Sequence, residues 1–278
     1  MMNVLKAVLF GIVQGITEWL PVSSTGHMIL LNEFVKLDVS QEFWQIFLVV
    51  TQLGSIIAVV ILFWNTIFPF DFSFRARKQG TVVKKETFRL WGYVLIACIP
   101  AAVIGILFDD ALDALFYHWY VVAIALIVFG VLFIVVENIN KHRKSRIRNI
   151  SKITWKEALV IGIFQVLAAV FPGTSRSGAT IVGGLLIGIR RKVAAKFTFI
   201  LASPVMFGAS LLKLVKYGFS FTGDEALILV VGMVTAFAVS LVVIKALMQF
   251  IRTHSFIVFG WYRIILGIAV ILYFGVIA

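Results

Sequence analysis

Two stretches of the chain, GIVQGITEWLPVSS at residues 11–24 and GIFQVLAAVFPGTS at residues 162–175, decide how it folds. They align without gaps, pairing Gly11 with Gly162, Ile12 with Ile163, Gln14 with Gln165, Pro21 with Pro172 and Ser24 with Ser175. Each closes a short apolar run, Val4 to Ile16 in the first copy and Ala158 to Phe171 in the second. Neither run reaches the roughly 20 apolar residues needed to cross a bilayer as a helix, so both predict re-entrant helices. Irregular backbone at membrane depth survives only where protein covers it or where it lines a wet cavity, which makes each break a candidate site.

The rest of the chain supplies the membrane. Of 278 residues 61% are hydrophobic and 14% charged, against roughly 45–50% and 25% in soluble domains. Five spans follow from length and charge punctuation: Phe43–Phe68, Leu90–Phe108, Trp119–Val136, Ala226–Met248 and Phe256–Ala278. A sixth, Val193–Val215, carries Lys196 and Pro204. The alternating period of a transmembrane barrel is absent, so the expected class is an all-α polytopic membrane protein. Lys6 alone makes a poor basic region and no small-residue cleavage pattern follows, so the first helix is expected to stay in the mature fold. Cys98 is the single cysteine, which excludes an internal disulfide and a thiolate metal site.

Charge gives the orientation. Arg75, Arg77, Lys78, Lys84, Lys85 and Arg89 follow the first span, whereas the connection from Asp109 to His118 holds three aspartates and no Lys or Arg. The positive-inside rule places the first loop in the cytoplasm and the second outside. The basic loop from Asn138 to Lys156, Arg190-Arg191-Lys192 and Arg252 fall inside, and Asp224-Glu225 outside. The net charge of +12 therefore reads as topology and contact with anionic lipids, with no nucleic acid implied. Each half is one broken element plus three spans, an odd number, so the second half must run the opposite way. The expectation is one membrane domain over residues 1–278, an inverted-topology repeat of 1–150 and 151–278 whose tips at Pro21 and Pro172 meet near the bilayer midplane.

The tips carry the chemistry. In PGTSRSGATIVGG, from Pro172, Ser175 or Ser177 can cap an outgoing helix whose N–H groups favour an anion. Arg176 stands at that start, and Thr174, Ser175, Ser177 and Thr180 surround it with hydroxyls. A guanidinium there suits phosphate or carboxylate oxygens, the alternative being that it only pairs with Glu18 to hold the tips together. In the first tip, Ser23, Ser24 and Thr25 bring three further hydroxyls, and Ser24 and His27 share a face if a helix restarts after Pro21. Gln14 and Glu18, four apart, could hold a hard cation through oxygen. His118, His142 and His254 read as interfacial, and Gly183, Gly184 and Gly188 as close helix packing rather than a phosphate loop. No Walker motif, dinucleotide fingerprint or G-x-S-x-G elbow is present.

QGITEWLPVSSTGH and PGTSRSGATI closely resemble the two signature regions of the undecaprenyl-diphosphate phosphatase family, also called the bacitracin-resistance protein family. The likeness extends through TQLGSIIAVV from Thr51, ASPVMFGAS from Ala202 and GWYRIILG near the C-terminus. It implies an enzyme of the bacterial cytoplasmic membrane that hydrolyses undecaprenyl diphosphate to the monophosphate, depends on a divalent cation, magnesium or calcium, and gives tolerance of bacitracin. The charge pattern, which opens the first tip outward, has the site open to the outer face. The family's first motif falls on Gln14, Glu18, Ser24 and His27, and its second on Ser175, Arg176, Ser177 and Thr180. With glutamine at the first acidic position, a cation must lean on Glu18 and on the substrate's oxygens. Ser24 is the expected nucleophile, with His27 as base or acid, beside the alternative of a water activated by His27 or Glu18. The competing class is a transporter or flippase for a polyprenyl phosphate or another anion, which inverted repeats also serve. The oligomeric state, a homo-oligomer included, is left open.

Overall fold

Several helices begin at side-chain caps that the sequence offers. Ser40 Oγ accepts from the amide of Phe43 at 3.1 Å, and Thr154 with Glu157 and Thr222 with Glu225 form reciprocal capping boxes, each satisfying donors that a helix start leaves free. The computed structural model describes residues 2–74, 81–116, 118–218 and 220–277, without the side chains of 109–111, 113, 114 and 277. Arg75, Arg77 and Lys78, and the side chains of Asp109, Asp110 and Asp113, therefore lie outside the described residues.

The described residues form α1 (Met2–Thr17), α2 (Ser24–Phe34), α3 (Gln41–Ile67), α4 (Lys85–Phe116), α5 (Trp119–Asn140), α6 (Trp155–Val170), α7 (Arg176–Leu186), α8 (Arg191–Tyr217), α9 (Gly223–Phe250) and α10 (Ile257–Leu272). A 3-10 turn at Ile150–Lys152 precedes α6, and a π turn at Tyr273–Ile277 extends α10. Two isolated bridges, Phe70 with Val83 and Ile147 with Ile189, are the β-structure among the described residues. Six helices, α3, α4, α5, α8, α9 and α10 with its extension, are long and apolar enough to cross a membrane. The chain is an all-helical, multi-pass membrane protein. At 16 residues each, α1 and α6 extend only about 24 Å, short of the roughly 30 Å hydrocarbon core.

The six spans match expectation within a few residues, mostly lengthened by polar caps. The connection expected from Asp109 to His118 is corrected: α4 continues to Phe116 and α5 starts at Trp119. DDALDALF contains neither Gly nor Pro, and Leu112, Leu115 and Phe116 keep helical spacing, so nothing in it stops the helix. Pro100 and Pro204 lie inside α4 and α8 without ending them, as packed membrane helices allow. Lys196 donates to Thr66 Oγ1 at 2.7 Å, which gives the charge in the less clean span a partner at the end of α3.

Packing crosses between the halves. The short helix α1 lies on α9 and the short helix α6 on α4, while α5 pairs with α10 and α3 with α8 and α9. Aligned glycines permit both short-helix contacts: a Cβ on Gly11 would stand 2.7 Å from Gly232 O, and one on Gly162 would stand 2.5 Å from Ala97 O. Small residues let helix backbones approach this closely where no water is available to drive association. Gly183 packs on the Phe164 ring in the same way.

Candidate active site

Both breaks stop a helix at a proline-containing turn and restart it from a serine in an unusual conformation. Ser23 and Ser175, with φ of 73° and 70°, are the non-glycine residues of positive φ among those described. This left-handed region costs an ordinary residue roughly 1–2 kcal/mol and must be held by its surroundings. The hold is a cap: Ser23 Oγ accepts from the amide of Gly26 at 3.3 Å, and Ser175 Oγ from that of Gly178 at 3.2 Å. The equivalence corrects the ungapped alignment, in which Ser24 faced Ser175. The second turn holds one residue more between its proline and its cap, so Ser23 is the partner of Ser175. That turn contains Gly173, with φ of 92° and room for a Cβ only 2.6 Å from Val122 O, so only glycine fits.

Glu18 joins the two tips. Its carboxylate is buried in the turn after α1. Oε1 accepts from Arg176 Nη2 at 2.6 Å, while Oε2 accepts from Gln14 Nε2 at 2.8 Å and from Ser24 Oγ at 3.0 Å. Arg176 Nη2 also lies 3.1 Å from the Met206 sulfur, whereas Nη1 is buried with no partner among the described residues, as is Thr174 Oγ1. Buried donors left unpaired cost roughly 1–3 kcal/mol, so these two atoms call for a ligand or water. Ser175 and Ser177 hydroxyls stand 3.1 Å apart, and Ser177 donates to Leu20 O at 3.3 Å, tying the second tip to the first. Thr180 is fully buried. It donates to Arg176 O at 2.8 Å and accepts from Thr198 at 3.0 Å, which fastens α7 to α8.

His27 stands apart from this group. Its Nδ1 donates to Ser23 O at 2.7 Å, so in the neutral imidazole Nε2 is the acceptor. The Tyr262 hydroxyl donates to Nε2 at 2.6 Å, with the two rings parallel and 5.6 Å apart. The Ser24 proton therefore points to Glu18 and not to His27. Thr25 is exposed and, with Gln14 and Ser24, lines a polar cavity of about 190 Å³ that continues along Glu33, Gln45 and Gln52. This is the volume of about six waters, enough for a phosphate head and not for a long apolar tail.

Sequence reasoning missed two residues on α10. Tyr262 carried no local signal, because its partner is 235 positions away. Arg263 did carry one: a lone arginine inside an apolar span is a functional hypothesis by default. Its guanidinium is fully buried and donates to Pro21 O at 3.2 Å and Gly173 O at 3.0 Å, one carbonyl from each break.

Gln14 Nε2 and Ser24 Oγ both donate to the Glu18 carboxylate, so the oxygens these residues could turn toward a cation are the carboxylate, the Gln14 amide oxygen and the Ser24 hydroxyl, with no nitrogen or sulfur ligand among them. No group of three His, Cys, Asp or Glu side chains able to hold a metal occurs among the described residues. Such a set fits a hard cation that draws most of its ligands from phosphate and water, as magnesium does, and not a protein-caged one.

Comparison with known proteins covers nearly the whole chain. A model of the family described as bacitracin resistance protein BacA matches residues 7–269. The undecaprenyl-diphosphatase of Desulfitobacterium hafniense is 58% identical over 275 residues, 99% of this chain and 97% of that protein. Undecaprenyl-diphosphatase 1 of Clostridium acetobutylicum is 58% identical over 272 residues, 98% and 97% of the two chains. The undecaprenyl-diphosphatase of Enterococcus faecalis is 57% identical over 270 residues, 97% and 96%.

Proposed function

This chain belongs to the bacitracin resistance protein BacA family and dephosphorylates undecaprenyl diphosphate, serving cell-wall synthesis and bacitracin resistance; we propose that its two helix breaks together form the catalytic site. One observation carries the proposal: Glu18 is shared by Arg176 from the other tip and Ser24 from its own. Arg176, with its free Nη1, and the N-terminal amides of α2 and α7 hold the phosphates and counter the charge that grows in a loose phosphoryl-transfer transition state. Ser24 attacks the terminal phosphorus as its proton passes to Glu18. The anhydride bond breaks, undecaprenyl phosphate leaves, and water then releases inorganic phosphate from Ser24. Ser23 and Ser175 shape the two helix starts, Ser177 and Thr180 brace them, and Thr25 lines the way in. His27 takes no part in the first proton transfer.

A divalent cation, magnesium or calcium, would be held by Glu18 with help from Gln14 and would supply charge neutralisation at the diphosphate. Phosphate release from a prenyl diphosphate by the purified protein tests both claims. It is expected to proceed in magnesium and to fall at least about tenfold with a chelator. Full turnover after chelation would remove the cation from the site, and absent turnover in every metal would remove the reaction.

The same reading takes the halves as an inverted repeat with re-entrant tips. It is supported by the matched serine caps, by the glycine pair at 11 and 162, and by reciprocal packing of α1 on α9 and α6 on α4. Charge then orients the first tip toward the outer face of the bacterial cytoplasmic membrane, where the substrate's head enters while its tail stays among the spans. With Cys98 replaced, a cysteine at Asp224 is expected to react with impermeant thiol reagents in intact cells and one at Lys144 to stay unlabelled. The reverse pattern would overturn the orientation. The phosphatase reading is preferred over a transporter because the relatives are undecaprenyl-diphosphatases and because Ser24 and Arg176, a nucleophile and an anion clamp, meet on one carboxylate.

A further inference from the structure

Arg263 uses four of the five N–H donors of a guanidinium on main-chain carbonyls: Nε on Leu126 O at 3.4 Å, Nη1 on Pro21 O at 3.2 Å, and Nη2 on Ala125 O at 3.4 Å and Gly173 O at 3.0 Å. It forms no ion pair with a carboxylate among the described residues, and its carbon centre lies 5.8 Å from the Phe129 ring. A buried charge is expensive, and hydrophobic residues of similar volume usually serve stability as well or better. Its position explains the expense. Pro21 and Gly173 are the turns that end α1 and α6 and precede α2 and α7, and the other two carbonyls belong to α5. Nη1 also stands 3.1 Å from where a Cβ on Gly178 would be, inside the first turn of α7.

We infer that Arg263 is the positioning residue of the phosphate site, holding the two breaks in register and keeping a fixed positive charge beside both helix starts. A planar fork can bridge two turns and a third helix at once, which a single ammonium cannot. The charge, unopposed by a carboxylate, adds to the field of the N-terminal amides that an anion meets. Arg263 itself touches no reacting atom and acts through α2 and α7. This rests on the reading of the tips as the phosphate site.

The test uses the full-length protein with Arg263→Lys, Arg263→Met and, in parallel, Arg176→Ala, each checked for a single species by gel filtration. Turnover, KM and inhibition by inorganic phosphate are measured for each. Arg263→Lys, which keeps the charge and loses the bridge, is expected to lower kcat about tenfold or more with phosphate inhibition changed less than about threefold. Arg263→Met is expected to weaken phosphate inhibition about tenfold or more in addition. A purely structural strut would lower the folded fraction and leave phosphate inhibition of the surviving enzyme alone. Unchanged kcat or unchanged phosphate inhibition in folded Arg263→Met overturns the inference, and so does failure of both Arg263 variants to fold. An active Arg176→Ala would instead overturn the site reading beneath it.

Discussion

Replacing Arg176 with alanine is expected to lower turnover by roughly two to three orders of magnitude, the range seen when a single donor to developing transition-state charge is removed, about 2.7–4 kcal/mol. The guanidinium spends Nη2 on Glu18 and Met206 and keeps a buried Nη1 free. A counter-ion for Glu18 needs only the Nη2 contact, so the buried Nη1 at the start of α7 remains for a second acceptor such as a phosphate oxygen. The two roles differ in what they predict. As a counter-ion alone, Arg176 would affect mainly stability, because its loss strands a buried carboxylate. As a phosphate ligand, it affects kcat and phosphate inhibition in protein that still folds. Arg176→Lys separates them further, since an ammonium can pair with Glu18 and cannot also present a second, fixed donor. Near-normal kcat in folded Arg176→Ala would remove Arg176 from the phosphate site.

The residues that sequence reading found are those whose polarity is costly at membrane depth. Glu18, Arg176 and the hydroxyls around two prolines stood out because the flanking runs were too short to span, so solvent or protein had to accommodate them. Arg263 is just as costly, yet it sits inside an otherwise clean span, and span detection absorbed it. The expected pairing of Ser24 with His27 shows a different limit. Three residues on a helix turn the chain by 300°, leaving side chains about 60° apart, which is enough for one to reach the turn after α1 and the other α10. Ser24 meets Glu18 six residues back, but the partner of His27 lies 235 positions away, and local spacing carries no trace of it. The register of the second tip was hidden for a related reason: the extra residue at Gly173 exists to let the turn press on Val122, a contact that an alignment of two short strings does not contain.

Ser24→Ala is expected to nearly abolish activity, by at least about three orders of magnitude, on the scale of removing a covalent nucleophile. The hydroxyl is half-exposed, lines the polar cavity and already donates its proton to Glu18 at 3.0 Å. With its proton held by Glu18, the Ser24 oxygen keeps its lone pairs for an attack from the cavity side. If Ser24 only bound substrate while water attacked, its loss would remove one hydrogen bond among several, about 0.5–1.5 kcal/mol and roughly tenfold in rate. The gap between tenfold and a thousandfold is wide enough to decide. A covalent route also makes a phosphoserine, which rapid acid quenching of the wild-type enzyme with labelled substrate should trap at Ser24 and nowhere else. His27→Ala offers the internal contrast: with Nε2 engaged by Tyr262 and not by Ser24, it should reduce turnover far less than Ser24→Ala does. Turnover of Ser24→Ala within about tenfold of wild type, with no trapped phosphoserine, would hand the attack to water held by Glu18 and leave Ser24 as a ligand.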